Sequence, residues 1–214
     1  MQLIRPIRRR VFRYTGYRNY FLRCCDSLSG GGSIYTMEAG GLEVSFDIMR
    51  DFIKAQFDIS WRLLEYHLNG LDDEECLWTP SSKGLHIDPT SGAVDWPDSE
   101  GYDIGLPNVA WLLWHISFWW SMVFDYSFAA GTLRKEDIKW VGVMDAKANI
   151  VRFRNEWINK LDTMSYEEFS SNSCTKWPFE KKPFYDLAAW LNLELMKNAS
   201  EIGYCRFLYA NRSL

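Results

Sequence analysis

The sequence predicts an all-α protein built as a four-helix bundle. Three observations carry this. Apolar residues recur at three-to-four spacing over four long segments, which is the helical period. No segment shows clean period-two alternation, and no glycine-rich phosphate loop is present. Of the 214 residues, 47% are apolar and 11 are tryptophan, enough to fill one shared core. Four helices of ~18–27 residues joined by long loops form such a bundle.

The chain opens on a stretch unlike the rest. Residues 1–36 hold seven arginines and one acid, Asp26, and end in SLSGGGS, a flexible linker composition. Three readings compete for it: a basic arm for an anionic partner, a targeting peptide, or translated sequence upstream of a start at Met37. The last fits best, because the globular pattern begins only after Met37. The domain is therefore expected over 37–214. That part carries 17 basic and 27 acidic residues, a net of −10, which excludes a basic nucleic-acid platform.

Residues 44–70 read as the first amphipathic helix, with Phe46, Met49, Phe52/Ile53, Phe57, Leu63/Leu64 and Leu68 on one stripe and Gly70 as its stop. His67 falls in its last turn, where a cationic imidazole suits the helix dipole. Residues 71–106 are turn-rich and long for a connection. They hold His86 and a short turn within LDDEECLWTPSS, are pinned by Trp78 and Trp96, and are placed to roof a pocket between helices.

The second helix covers 107–130, with Pro107 at its first position and Gly131 at its end. It is apolar almost all round, so it belongs at the centre, with His115 on the face of Leu112, Trp119 and Met122. A turn near Thr132–Asp137 and a plugging Trp140 lead to the third helix, 145–162. Asp145 is its expected N-cap, and Ile150, Phe153, Trp157 and Leu161 form its stripe. Residues 163–182 read as loop. The fourth helix, 183–210, carries Glu194, Asn198 and Glu201 on or beside its apolar stripe, which costs free energy unless they are satisfied.

Five cysteines, Cys24, Cys25, Cys76, Cys174 and Cys205, are odd in number and lack CxxC spacing. A reducing cytoplasm is the expected setting. The longest apolar run, Val109 to Phe124, is broken by His115 and Ser117 and is shorter than a spanning helix of ~20 residues, so no membrane association is expected.

WLLWHISFWW in the second helix, AWLNLELMKNASEIGYCRFLY in the last, and LEYHLNGLDDEECLWTPSS between the first helix and its loop resemble the DinB/YfiT-like metalloenzyme superfamily over about 44–210. The resemblance implies a DinB-like bundle in the crossed up-up-down-down arrangement. It also implies a divalent metal, zinc or nickel, held by three histidines: one within an LLxH stretch and two in H-x-x-x-H on the last helix. The first position falls on His115. The other two fall on Glu194 and Asn198, in ELMKN, with Ser200 and Glu201 where the family has a small residue and glutamine.

Residues four apart on a helix share a face, ~5–6 Å apart at Cβ, so Glu194 and Asn198 can serve one ion or one hydrogen-bonded group. Two accounts follow. In one, a metal bound by His115, Glu194 and Asn198 activates a low-molecular-weight thiol for transfer, as in relatives that act in detoxification. In the other, no metal binds: Glu194 accepts from the His115 N–H, Asn198 satisfies the remainder, and the nearby carboxylate favours the imidazolium. The protein would then be a small-molecule-binding or accessory bundle, and a homodimer is among the forms considered. Glu201 would support the site or pair with Arg206, and Cys205 would line the pocket floor.

Overall fold

The computed structural model describes residues 39–97 and 101–212. The reading of residues 1–36, including Cys24 and Cys25, lies outside these. Among the described residues there are six α-helices: α1 Ala39–Leu68, α2 Asp73–Leu77, α3 Val109–Phe128, α4 Val143–Thr163, α5 Tyr166–Ser170 and α6 Phe184–Ala210. Single 3₁₀ turns lie at Tyr102–Ile104 and Lys135–Asp137. Among the described residues there is no strand, only an isolated antiparallel bridge between Ile87 and Val94.

The four long helices stand where their apolar periods put them, but their ends differ from expectation in instructive ways. Helix α1 begins at Ala39 rather than 44 and takes in Gly40 and Gly41. Its first turn has unpaired N–H groups in any case, so glycine there interrupts little. At the other end Gly70 turns the chain at φ +69°, a conformation that glycine adopts without a Cβ clash. Pro107 is not the first residue of α3. Asn108 is its N-cap, and the Asn108 Oδ1 accepts from the Trp111 N–H at 2.9 Å, the side-chain cap that proline cannot supply. Asp145 is likewise inside α4, whose N-cap is Gly142.

Helix α5 was not expected at all. Its signal is SYEE: Ser165 and Glu168 close a reciprocal capping box, short enough to be hidden between Ser and Pro turn residues.

Side-chain pairs fix the helix directions. His67 lies against Gly203 and Ile53 receives the Asn192 amide, so α1 and α6 run parallel. Pro107 meets Cys205 while Trp119 meets Trp190, so α3 and α6 are antiparallel. Trp120 stands edge-on to Phe153 and Phe124 stacks on it, and Phe128 receives Lys160, so α3 and α4 run parallel. Lys54 pairs with Asp162 and Arg154 lies over Trp61, so α1 and α4 are antiparallel.

Around the bundle, in the order α1, α6, α3, α4, the directions read up, up, down, down. Along the chain they read up, down, down, up, which corrects the up-up-down-down order expected: the second and third long helices, not the first and second, are the parallel pair consecutive in sequence. Residues 129–142 must therefore run back along the bundle to join two parallel neighbours.

Trp120, Trp157, Phe57, Phe169 and Phe184 are fully buried at the centre. Each such side chain contributes roughly 1.5–3 kcal/mol by burial. The long 69–108 connection closes over α3, with Trp96 edge-on to Trp114 and Phe118 and the Asp95 carbonyl accepting from the Trp111 indole at 2.8 Å. No helix among the described residues is long and apolar enough to cross a membrane.

Candidate functional site

The antiparallel pairing of α3 and α6 brings His115 and Asn198 together. His115 is 6% exposed and Asn198 1%. The Trp119 indole N–H reaches His115 Nε2 at 2.9 Å. Indole can only donate, so Nε2 must accept, and the ring proton sits on Nδ1. That proton is donated to Asn198 Oδ1 at 2.9 Å. The Asn198 amide then donates to the backbone carbonyl of Glu194 at 2.7 Å. The result is a directional chain, Trp119 to His115 to Asn198 to the Glu194 carbonyl, in which every link is a neutral group.

Aromatic rings enclose this chain. The imidazole stacks on Trp111 at 4.5 Å and 20°, and Trp119 stands edge-on to it at 5.5 Å. Trp190 and Trp177 pack in turn on Trp119. In such surroundings a charged ring is unfavourable. Burial, aided by the nearby Lys197 cation and opposed by the Asn198 hydrogen bond, pushes the His115 pKa down to about 3. A protonated ring would also aim an Nε2–H at the Trp119 N–H.

The expected triad is thus only partly assembled. His115 and Asn198 meet directly. Glu194 lines the same crevice, but its carboxylate pairs with Lys197 Nζ at 2.8 Å, one turn along α6. It neither accepts from His115 nor favours an imidazolium; its backbone carbonyl is what enters the chain.

Glu201 is half-buried, and burial next to Glu194 raises its pKa against the pull of Lys197. It is not the partner of Arg206. Cys205 is buried away from the crevice, its thiol on the Pro107 carbonyl at 3.3 Å, and burial with Glu201 nearby pushes its pKa up to about 11.

A divalent ion does not fit these side chains as they are arranged. The imidazole lone pair on Nε2 is taken by Trp119, Asn198 Oδ1 by His115, and the Glu194 carboxylate by Lys197. Each would have to be displaced, leaving a buried indole N–H without an acceptor. Among the described residues no three His, Cys, Asp or Glu side chains gather in a group that could hold a metal ion. The crevice beside Asn198, between Trp119, Trp120 and Leu191, has no room for a water-sized sphere.

The sequence concealed a second polar cluster, at the far end of α6. Arg206 makes two bonds to the Glu75 carboxylate, at 2.9 and 3.2 Å. It also donates to the carbonyls of His67 and Asn69, at 2.6 and 2.9 Å. One guanidinium therefore ties α2 to α6 and satisfies the open C-terminus of α1. Arg206, not a cationic His67, serves the dipole there. Burial and the neighbouring guanidinium lower the His67 pKa instead.

The only signal for Trp119 as partner of His115 was their four-residue spacing on one helix face. Glu75 and Arg206 are 131 residues apart and gave no local signal. His86 lies in the connection, its N–H bonded to Asp95, apart from the His115 chain.

No curated protein and no solved structure matches the chain significantly. A family profile, described as the DinB superfamily, matches residues 56–202, more than half of the chain. The match spans all of α3 and α4, the C-terminal part of α1 and most of α6, including His115, Glu194 and Asn198, and by it the chain belongs to the DinB superfamily.

Proposed function

We propose that this DinB-superfamily member has exchanged the family's metal position for a neutral hydrogen-bonded chain, and that it works as a metal-independent binding bundle rather than a thiol S-transferase. One observation carries the reading: both ring nitrogens of His115 are engaged, by Trp119 and Asn198, inside an aromatic enclosure. Room for a small-molecule ligand lies elsewhere. The open groove between α1 and α4, about 540 Å³ and bordered by Trp61, Arg62, Glu65 and Lys147, has the size of a typical ligand cleft. A reducing cytoplasmic setting accompanies the reading, on the unpaired cysteine pattern of the sequence.

Metal analysis of untagged protein, before and after incubation with zinc or nickel, is the direct test. The expected result is no stoichiometric metal in either sample, with His115→Ala lowering thermal stability and leaving metal content unchanged. One ion per chain, lost in both His115→Ala and Glu194→Ala, would overturn the reading and restore the thiol-transferase alternative. The groove is checked by a thermal-shift ligand screen repeated on Trp61→Ala. Hits that stabilise both proteins equally would move the ligand to another place.

A further inference from the structure

The α1·α6 side of the bundle exposes large apolar side chains in register. On α1, Phe52, Ile59 and Tyr66 recur every seventh residue; on α6, Leu193, Tyr204 and Phe207 occupy the corresponding arc. All six are 45–75% exposed. At 100° per residue, the first three lie opposite the buried Phe57, Trp61 and Leu64. The second three lie opposite the buried Leu191, Asn198 and Ile202. The two helices are parallel neighbours, so both arcs open to the same side and make one face.

This face is unlike ordinary surface. Between the exposed apolar residues the outward arc of α1 from Ile48 to Tyr66 carries Ala55 and Leu63, with Arg62 at its edge, and that of α6 from Leu193 to Phe207 carries Met196 and Ser200, with Lys197 at its edge. Lys197 is paired with Glu194. Four aromatic rings at ~150–250 Å² each, more than half exposed, present roughly 400–700 Å², at or beyond the largest apolar patch of a typical monomer. Charge depletion with aromatic enrichment marks the core of a protein interface.

We propose that this face is covered by a second copy of the chain, related by a two-fold axis through it. The area suits that occupant. The stripe from Ile48 to Tyr66 is about 27 Å long and two helices about 20 Å wide, so two copies bury on the order of 1,000 Å² in total, the threshold for a specific interface. With the two-fold perpendicular to the helices, parallel α1 and α6 face the same pair running the opposite way, an isologous antiparallel four-helix contact. The alternative occupant, the chain's own residues 1–36, carries seven arginines and matches an apolar face poorly, because buried cations need partners. The proposal is independent of what occupies His115.

Sedimentation velocity on the full chain, together with hydrogen exchange over a concentration series, tests it. The expected result is a two-chain mass, with exchange protection of the α1 and α6 peptides rising with concentration. Phe52→Glu with Phe207→Glu should halve the mass and weaken association at least ~100-fold, with the circular dichroism of the wild type retained. Met144→Glu, an equally exposed apolar site on α4, should leave the mass unchanged and serves as control. Should the double variant fail to fold, Ile59→Lys alone is read the same way. A wild-type monomer at the highest soluble concentration would overturn the proposal, as would a dimer that survives the face substitutions. So would a monomer whose α1 and α6 peptides are protected at every concentration, which would assign the face to another part of the chain.

Discussion

At Asn198 the last helix meets α3 through neutral groups alone; at Arg206, about 12 Å further along, it meets α1 and α2 through a charged pair. Both clusters satisfy polar atoms at helix contacts, but their energetics differ. The His115 chain works because nothing in it is ionised. Its cost of burial is met link by link, and the aromatic walls that exclude water also hold the imidazole neutral. The Arg206 cluster sits at the open end of the bundle, where Arg206 is 25% and Glu75 10% exposed by side chain. There a cation suits the C-terminus of α1, and Arg206 donates to the carbonyls of His67 and Asn69. The polar group at the centre of this bundle is therefore the less charged of the two.

The comparison can be broken most strongly at Arg206. Arg206→Ala strands the Glu75 carboxylate and two carbonyls and should cost ~3–5 kcal/mol in urea unfolding. Replacing the pair together, by Glu75→Leu with Arg206→Met, should recover most of that loss. A double variant as unstable as Arg206→Ala would show that the cluster's worth lies in the carbonyl caps rather than the ion pair.

The next effect is the acid sensitivity of the His115 chain. His115 titrates near 3 in the fold against an ordinary 6.5. Between these values the unfolded chain binds a proton that the folded chain refuses. The contribution of this group is thus complete above about pH 6.5 and falls as pH drops toward 3, by on the order of 1 kcal/mol per pH unit. Unfolding series from pH 7 to 4 should show this slope in the wild type and a shallower one in His115→Phe. Equal slopes would remove His115 as the cause.

The smallest effect expected is that of Trp119→Phe, which keeps the ring contact and deletes the indole N–H. It should cost ~1–3 kcal/mol for the unpaired Nε2 and should raise the His115 pKa, read from the imidazole proton shifts. An unchanged pKa would mean that the Trp119 hydrogen bond does not hold the tautomer.

Much of this protein is a direct consequence of its sequence. The four apolar periods place the four long helices within a few residues, because a stripe at 3.6 spacing has one way to be buried. The apolar surround of His115 and the i,i+4 relation of Glu194 to Asn198 were equally legible, since a helix fixes which residues share a face. What local spacing could not supply was the choice among partners once the faces met. Whether His115 would donate to Glu194 or to Asn198 depends on the antiparallel offset of α3 and α6, and that offset is set by the packing of Trp119 and Trp190 and of Cys205 on Pro107. The pairing of Arg206 with Glu75 depends on where the short α2 lands, a matter of loop path and not of periodicity. Periodicity and composition alone were enough for the bundle, for its buried histidine and for the shared face of Glu194 and Asn198. The tertiary structure alone decided that the histidine would be neutral, because only the assembled core sets which hydrogen-bonding atom and which aromatic ring face each of its two nitrogens.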